Sequence, residues 1–264
     1  LIPNEDRASD HVLERLAPFS TVNGGPLNIE RVHFTPKRGN LIITYPGTTD
    51  ASVAFVGAHL DVVPANPENW ERDPFALTVE GERLYGRGTT DCLGHVALIT
   101  ELMVALATQR PALRRTVSAV FIANEENGHV VGIGVDRLMA TGKLDHIKGG
   151  PVIWVDSADS QPCIGTCGSL TWHLKATGKL FHSGLPHKGI NALELANEAC
   201  AQLQDYFYAE FAPTEEERAW MYALPSTMKP TQVRCAVGSL NQLPPWVEIS
   251  GDVRLTPFYD VSTL

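Results

Sequence analysis

The stretch SVAFVGAHLDVVP, residues 52–64, decides how the rest of the chain is read. Val53, Ala54, Phe55 and Val56 make a short continuous apolar run rich in β-branched and aromatic side chains, the composition of a strand buried on both faces. The run ends abruptly in His59, Leu60 and Asp61. In an open α/β sheet, ligands gather outside the carboxyl ends of the strands, and a histidine and an aspartate in alternate positions at such an end point the same way. Taken alone, the pair reads first as a satisfied histidine beside an N-capping aspartate and second as a metal site. Two later stretches of the chain reverse that order.

Both repeat the pattern. TVSAVFIANEENG, residues 116–128, is apolar from Val117 to Ala123 and then presents Asn124, Glu125, Glu126 and Asn127; GGPVIWVDSADS, residues 149–160, is apolar from Pro151 to Val155 and then presents Asp156. Between the first two copies, LGHVALITELMVALATQ places Val96, Ile99, Leu102, Met103 and Leu106 at helical spacing, with Pro111 as the stop. Upstream, EDRASDHVLERLA, residues 5–17, reads as an amphipathic helix capped by Ser9 and Asp10. LNIERVHF and NLIITY read as strands around the turn-like PKRGN. The Pro/Gly/Asn-rich excursion from Ala65 to Gly88 is too long for a plain connection and is expected to shape a site. Strands alternating with helices imply an α/β fold with a parallel-type sheet and helices on both faces over the first 160 or so residues.

Near residue 168 the rhythm changes. SLTWHLKATGKL alternates Leu170, Trp172, Leu174 and Ala176 against polar residues, as a half-exposed antiparallel strand does. A long amphipathic helix, GINALELANEACAQLQDYFYAEF, and two strands, TQVRCAV and WVEISGDVRL, come after it. The expected organisation is therefore a domain over 1–168 and a smaller α+β domain over 169–264. The run Glu215, Glu216 and Glu217 reads as solvated surface.

Composition narrows the function. The chain has 264 residues, 44% of them hydrophobic, enough for one or two full cores. A net charge of -9 without a basic stripe excludes a nucleic-acid surface. Apolar stretches fall short of the roughly 18 residues of a membrane span, and no signal peptide opens the chain. The expected compartment is the cytoplasm; because Leu1 is not a start methionine, an organelle is the alternative if a targeting segment was removed before it. The five cysteines, Cys92, Cys163, Cys167, Cys200 and Cys235, form no CxxC pair and read as free thiols, with Cys163 and Cys167 the lesser reading of a ligand pair.

His59, Asp61, Asp91, Glu125, Glu126 and Asp156 all fall at expected strand ends or the loops beside them. Carboxylates gathered so closely repel one another and take up protons unless a cation neutralises them, so the set implies bound divalent metal. One imidazole with several carboxylates suits zinc, cobalt or manganese better than calcium, and a bridged pair of ions suits hydrolysis. If the segment stays extended, Glu125 and Glu126 face opposite ways, so one binds metal while the other faces substrate as a general base.

HLDVVP, GRGTTDCLGHVA, ANEENG, GKLFHSG and GDVRLTP, in this order, resemble the M20-type metallopeptidase family that includes acetylornithine deacetylase, succinyl-diaminopimelate desuccinylase, carboxypeptidase G and aminoacylase-1. NPENWERDPF and GKLFHSGLPHKGINALELA look closest to the plant-type acetylornithine deacetylases. The resemblance implies a zinc-peptidase-like three-layer catalytic domain with a smaller inserted ferredoxin-like domain that serves as lid and dimerisation surface. It implies two divalent ions, zinc first and cobalt second, and a homodimer acting on a small N-acyl amino acid through metal-bound hydroxide. By the same resemblance, His59 ligates one metal and Asp61 orients it. Asp91 bridges both ions and its bond to Cys92 is cis, Glu125 is the general base, Glu126 ligates the second metal and Asp156 the first. His182 steadies the oxyanion in the partner subunit's site, and Asn241 and Arg254 bind substrate. Without the resemblance, His182 reads as structural and Arg254 as a solvated strand residue. The family also takes a histidine ligand from a later segment, and nothing beyond His187 offers one, so the expectation is a fragment lacking the last part of the catalytic domain. Deacetylation of N2-acetyl-L-ornithine is the first expected function. A non-catalytic structural or assembly subunit is the alternative from another class, and a desuccinylase, aminoacylase or dipeptidase the alternative within enzymes.

Overall fold

A computed structural model describes residues 3–156, 167–222 and 224–259. The chain forms two compact units, residues 1–161 and 162–264. Cys163 lies outside the described residues, so the fold does not address its pairing with Cys167. Cys92, Cys167, Cys200 and Cys235 are free thiols.

The first unit runs α1 (Asp6–Leu16), β1 (Asn28–Thr35), β2 (Arg38–Tyr45), β3 (Ser52–His59), β4 (Thr78–Glu80), β5 (Arg83–Tyr85), α2 (Leu93–Gln109), β6 (Thr116–Ile122), α3 (Val135–Ala140) and β7 (Val152–Trp154). Its main sheet has the order β1-β2-β6-β3-β7. Side chains alternate across the strands, so Leu41 and Ile43 face one layer and Ile42 the other. On one face Leu16 of α1 and Val96, Ile99 and Met103 of α2 pack against Leu41, Ile43, Ala119 and Phe121. On the other, Leu138 of α3 with Leu144 and Ile147 packs against Ile42, Val56, Val120 and Ile122. Full burial of each such side chain contributes about 1.5–3 kcal/mol, so the two apolar layers hold the sheet between them.

Three expectations are corrected here. The sheet is mixed rather than parallel: β3 runs parallel to β6 and β7, whereas β2 is antiparallel to both β1 and β6. A hairpin closed at Pro36 and Lys37, with Lys37 at φ 65, turns β2 back along β1, and the placing of β6 beside β2 sets the second antiparallel pair. Helix α1 begins at Asp6, not after Ser9; Ser9 is buried inside it and its hydroxyl donates to the Asp6 carbonyl, while Glu5 stands at the cap without a capping side-chain bond. Leu102, expected on the packed face of α2, is exposed beside Leu98 on the outer face.

The second unit contains β8 (Gly168–Thr177), α4 (Ala192–Glu210), α5 (Glu215–Ala219), β9 (Thr227–Cys235) and β10 (Trp246–Leu255). Its antiparallel sheet has the order β8-β10-β9. Asn191 caps α4 by accepting from the Leu193 N–H, and Ala192, Ala196 and Cys200 then pack against Trp172, Leu174, Ala176, Val247 and Ile249. The acidic run is not all solvated. Glu217 is 3% exposed, because it completes a capping box with Thr214 and its carboxylate also accepts from Thr256 and the Tyr259 hydroxyl. Among the described residues no helix is long and apolar enough to cross a membrane.

Candidate metal centre

His59 closes β3, and local geometry aims it. The β3–β6 register shifts between Val56 and His59, and Gly57 sits at φ 97 with the Trp154 ring so near that a Cβ would lie 2.6 Å from it. A bulge of this kind re-aims the side chain after it. The His59 ring, with no exposed area, is held at both nitrogens: Nδ1 lies 2.9 Å from the Asp61 carbonyl and 3.3 Å from Asp61 Oδ1, and Nε2 lies 2.8 Å from Asp91 Oδ1. Burial pulls the imidazole pKa down, but the hydrogen bonds to Asp61 and Asp91 more than offset it and hold it up at about 9.

Asp61 has a second task that the sequence did not disclose. Its carboxylate accepts from the Glu125 N–H, at 3.1 and 3.2 Å, and from the Glu126 N–H at 3.2 Å, tying the end of β3 to the turn after β6. The chain bends once β6 ends at Ile122, so the extended geometry expected for Glu125 and Glu126 does not persist. The consequence for the pair is still a division: Glu126, half-buried, joins His59 and Asp91 with donor atoms within 4.8 Å of one another, and Glu125 lies alongside, exposed, outside that group. Burial raises the pKa of both glutamates; Asp156, Asp61 and Asp91 add to the rise at Glu125, and Asp91, Glu125 and Asp61 at Glu126, against the lowering effect of His59.

A second donor group consists of His59, Cys92 and Asp156, again within 4.8 Å. Asp156 thus falls beside Cys92, and His59, rather than Asp91, is common to the two groups. Cys92 is joined to Asp91 by a cis peptide bond and stands at the start of α2. Its thiol is buried and lies 3.8 Å from the Val155 carbonyl. Burial first, and then Asp156, Asp91 and Glu125, push the thiol up to about 11. The sequence reads Cys92 as a free thiol cis-bonded to Asp91 and not as a donor; its place directly after Asp91 at a helix start was the available signal. The donor chemistry fits divalent metal: one imidazole and three carboxylates on one sheet edge, two of the nearby carboxyls holding their protons more tightly than usual.

His182, Asn241 and Arg254 belong to the second unit. His182 pairs with Gln242 in an isolated bridge, and the Asn241 carbonyl accepts from the Ser183 N–H at 2.8 Å, so the two loops that carry His182 and Asn241 are held together. The Gly184 N–H donates to His182 Nδ1 at 3.0 Å, which places the proton of the neutral ring on Nε2. Arg254 stands apart on β10, its Nε 2.8 Å from Asp252 Oδ2 on the same strand.

The sequence profile of Peptidase family M20/M25/M40 matches residues 55–247. An acetylornithine deacetylase of Arabidopsis thaliana is 56% identical over 99% of this chain and 60% of its own length, and one of Dictyostelium discoideum is 52% identical over 100% and 61%. The chain therefore spans about three fifths of the length of these relatives. The fold matches that of the M20 family metallo-carboxypeptidase Sso-CP2 from Sulfolobus solfataricus, with a TM-score of 0.70 at 18% identity over 98% of this chain and 67% of that one.

Proposed function

The chain belongs to Peptidase family M20/M25/M40, and from that premise we propose that it carries the water-activating half of a metal-dependent amidohydrolase that removes the acetyl group from N2-acetyl-L-ornithine. The observation that carries this reading is the meeting of His59, Asp91 and Glu126 around one point with Glu125 alongside, both glutamates anchored through their backbone by Asp61. The likeness to acetylornithine deacetylases supports the choice of acyl group and amino acid.

In this reading His59, Asp91, Glu126 and Asp156 would hold two divalent ions, zinc by preference and cobalt as the substitute. Such ions, when bound, would supply Lewis acidity for the amide carbonyl and for the attacking water. Glu125 takes the proton of the attacking water as its oxygen adds to the acetyl carbon. It then delivers that proton to the amine nitrogen as the C–N bond breaks, leaving acetate and ornithine. Burial first, and then Asp156, Asp61 and Asp91, raise its pKa above the ordinary carboxylate value, the direction that favours a group that accepts a proton and returns it. Asp61 keeps His59 in one orientation and Glu125 at a set distance from it. His182 donates its Nε2 proton to the oxyanion, Arg254 exchanges Asp252 for the substrate carboxylate, and Asn241 adds a polar contact; two copies of the chain pair through the second unit to complete the sites.

Replacing Glu125 with Gln removes the base while keeping size and hydrogen bonding. We expect deacetylation of N2-acetyl-L-ornithine at saturating zinc or cobalt to fall by about 10²–10⁴-fold with metal content unchanged. Turnover retained within a few fold overturns the assignment.

A further inference from the structure

Glu125 and Glu126 lie just past the point at which β6 leaves β2. The ladder between these strands ends at Leu41 and Phe121. Beyond it, two side chains from the start of β2 take over. Asn40, with no exposed area, accepts from the Ala123 N–H at 2.9 Å through Oδ1 and donates through Nδ2 to the Ile133 carbonyl at 2.8 Å and the Val32 carbonyl at 3.3 Å. Arg38, 9% exposed, donates through Nη2 to the Ala123 carbonyl at 2.9 Å and to Asn124 Oδ1 at 3.3 Å. Asn124 in turn donates to the carbonyls of Asn127 and Val130, closing the loop behind the two glutamates. Gly134 packs under it so tightly that a Cβ would lie 2.7 Å from the Asn124 carbonyl oxygen.

The guanidinium charge is balanced by buried Glu5, whose carboxylate accepts from Arg38 Nε at 2.6 Å and Nη2 at 3.2 Å. An Arg–Glu pair this deep is a poor source of net stability, since desolvation cancels much of its attraction. A fork that reaches beyond its partner to the Ala123 carbonyl and the Asn124 side chain, the two residues before the proposed base, is better explained by the geometry it imposes. Both backbone groups of Ala123 are thereby held from β2, while Asp61 holds the N–H groups of Glu125 and Glu126 from β3.

We propose that Arg38 and Asn40 are positioning residues for the Glu125–Glu126 turn: they fix Ala123 and Asn124 so that Glu126 reaches the cation held with His59 and Asp91, and Glu125 reaches the attacking water. The proposal rests on the functional reading given above. Supporting groups of this type typically change metal affinity or activity by about 10–100-fold when removed.

The test compares Arg38→Met, Arg38→Lys and Asn40→Ser with Leu144→Ala, a truncation of a fully buried apolar side chain that serves as a stability control, all in the full-length gene product. The readouts are thermal midpoint, affinity for cobalt by titration against a chelator, and kcat and KM separately. Expected results are a fall of about 10–100-fold in cobalt affinity or in kcat for Arg38→Met and Asn40→Ser, with KM little changed. Arg38→Lys, which keeps a charge beside Glu5 and one donor for Ala123, should recover most of that loss, and Leu144→Ala should keep cobalt affinity and kcat within about twofold at a comparable loss of midpoint. Cobalt affinity and kcat of the folded Arg38 and Asn40 variants equal to those of Leu144→Ala would overturn the proposal, as would an Arg38→Lys variant no better than Arg38→Met. If the unmodified protein binds cobalt but hydrolyses no N-acyl amino acid, the functional reading fails while the affinity comparison still decides the positioning role.

Discussion

Replacing Asp61 with Asn keeps its shape but removes the charge that faces His59 and the amides of Glu125 and Glu126. The His59 pKa, held at about 9 against the opposing effect of burial, should drop. A histidine NMR titration of the chelator-treated protein reads that drop, and a His59 still titrating near 9 in Asp61→Asn would show that Asp91 alone maintains it. The same residue sets a pH dependence for metal uptake. Ligation through Nε2 requires the ring to lose the proton that it shares with Asp91, so apparent zinc affinity should rise with pH up to about 9, by roughly tenfold per unit for a single released proton. Calorimetry in buffers of different ionisation enthalpy counts the protons released. No release below pH 8 would remove His59 Nε2 from the ligand set.

At the level of elements, α5 is held to the end of β10 by one carboxylate. Burial acts to raise the Glu217 pKa, but hydrogen bonds from Thr256, the Thr214 backbone and Tyr259 more than offset it and depress it. A carboxylate with a depressed folded pKa contributes stability above its unfolded value, near 4.3, and loses it as pH falls through the folded value. Glu217→Gln should therefore cost about 1.5–3 kcal/mol at pH 7, with the difference from the parent shrinking below about pH 4. Urea unfolding at the two pH values measures this, and a difference that does not vary with pH would point to shape rather than charge. Tyr259, whose hydroxyl donates to the same carboxylate, is pushed up to about 12, first by burial and then by Glu217. Elements were also where sequence reading met its limits. Period and composition located β3, α2 and β6, because each buries an apolar run or stripe of its own. They did not give the direction of β2 relative to β6, which a hairpin and a strand insertion decide together, nor the burial of Glu217, which depends on Thr256 and Tyr259 some 40 residues away.

For the molecule as a whole, the donors of the candidate centre found among the described residues lie between His59 and Asp156, within the first unit. A bound cation stabilises only the body that binds it, by about 2.7 kcal/mol at a concentration one hundred times its dissociation constant. Adding zinc should therefore slow amide exchange in β2, β3 and β6 and leave β8, β9 and β10 unchanged. Equal protection of both sets would mean that the two units open as one cooperative body. The acidic balance of the chain, with 30 Asp and Glu against 21 Lys and Arg, works in the same direction, since a divalent ion at this sheet edge relieves part of the repulsion among its carboxylates.

That apolar runs lead into His59, Glu125, Glu126 and Asp156, that a helix starts after Asp91, and that these residues call for a divalent cation are all legible in the linear chain. They are local properties, carried by periodicity and side-chain type. Which groups meet is a matter of three dimensions. By inserting β6 between β2 and β3, the fold delivers Asp61 to the amides of Glu125 and Glu126 and sets Arg38 and Asn40 against Ala123; by pairing β7 with β3 and packing α2 on the sheet, it brings Asp156 and Cys92 beside His59. Strand order is a choice among pairings with nearly equal local propensity. It is made by the two apolar layers that must both be buried, and no single stretch of the chain contains both.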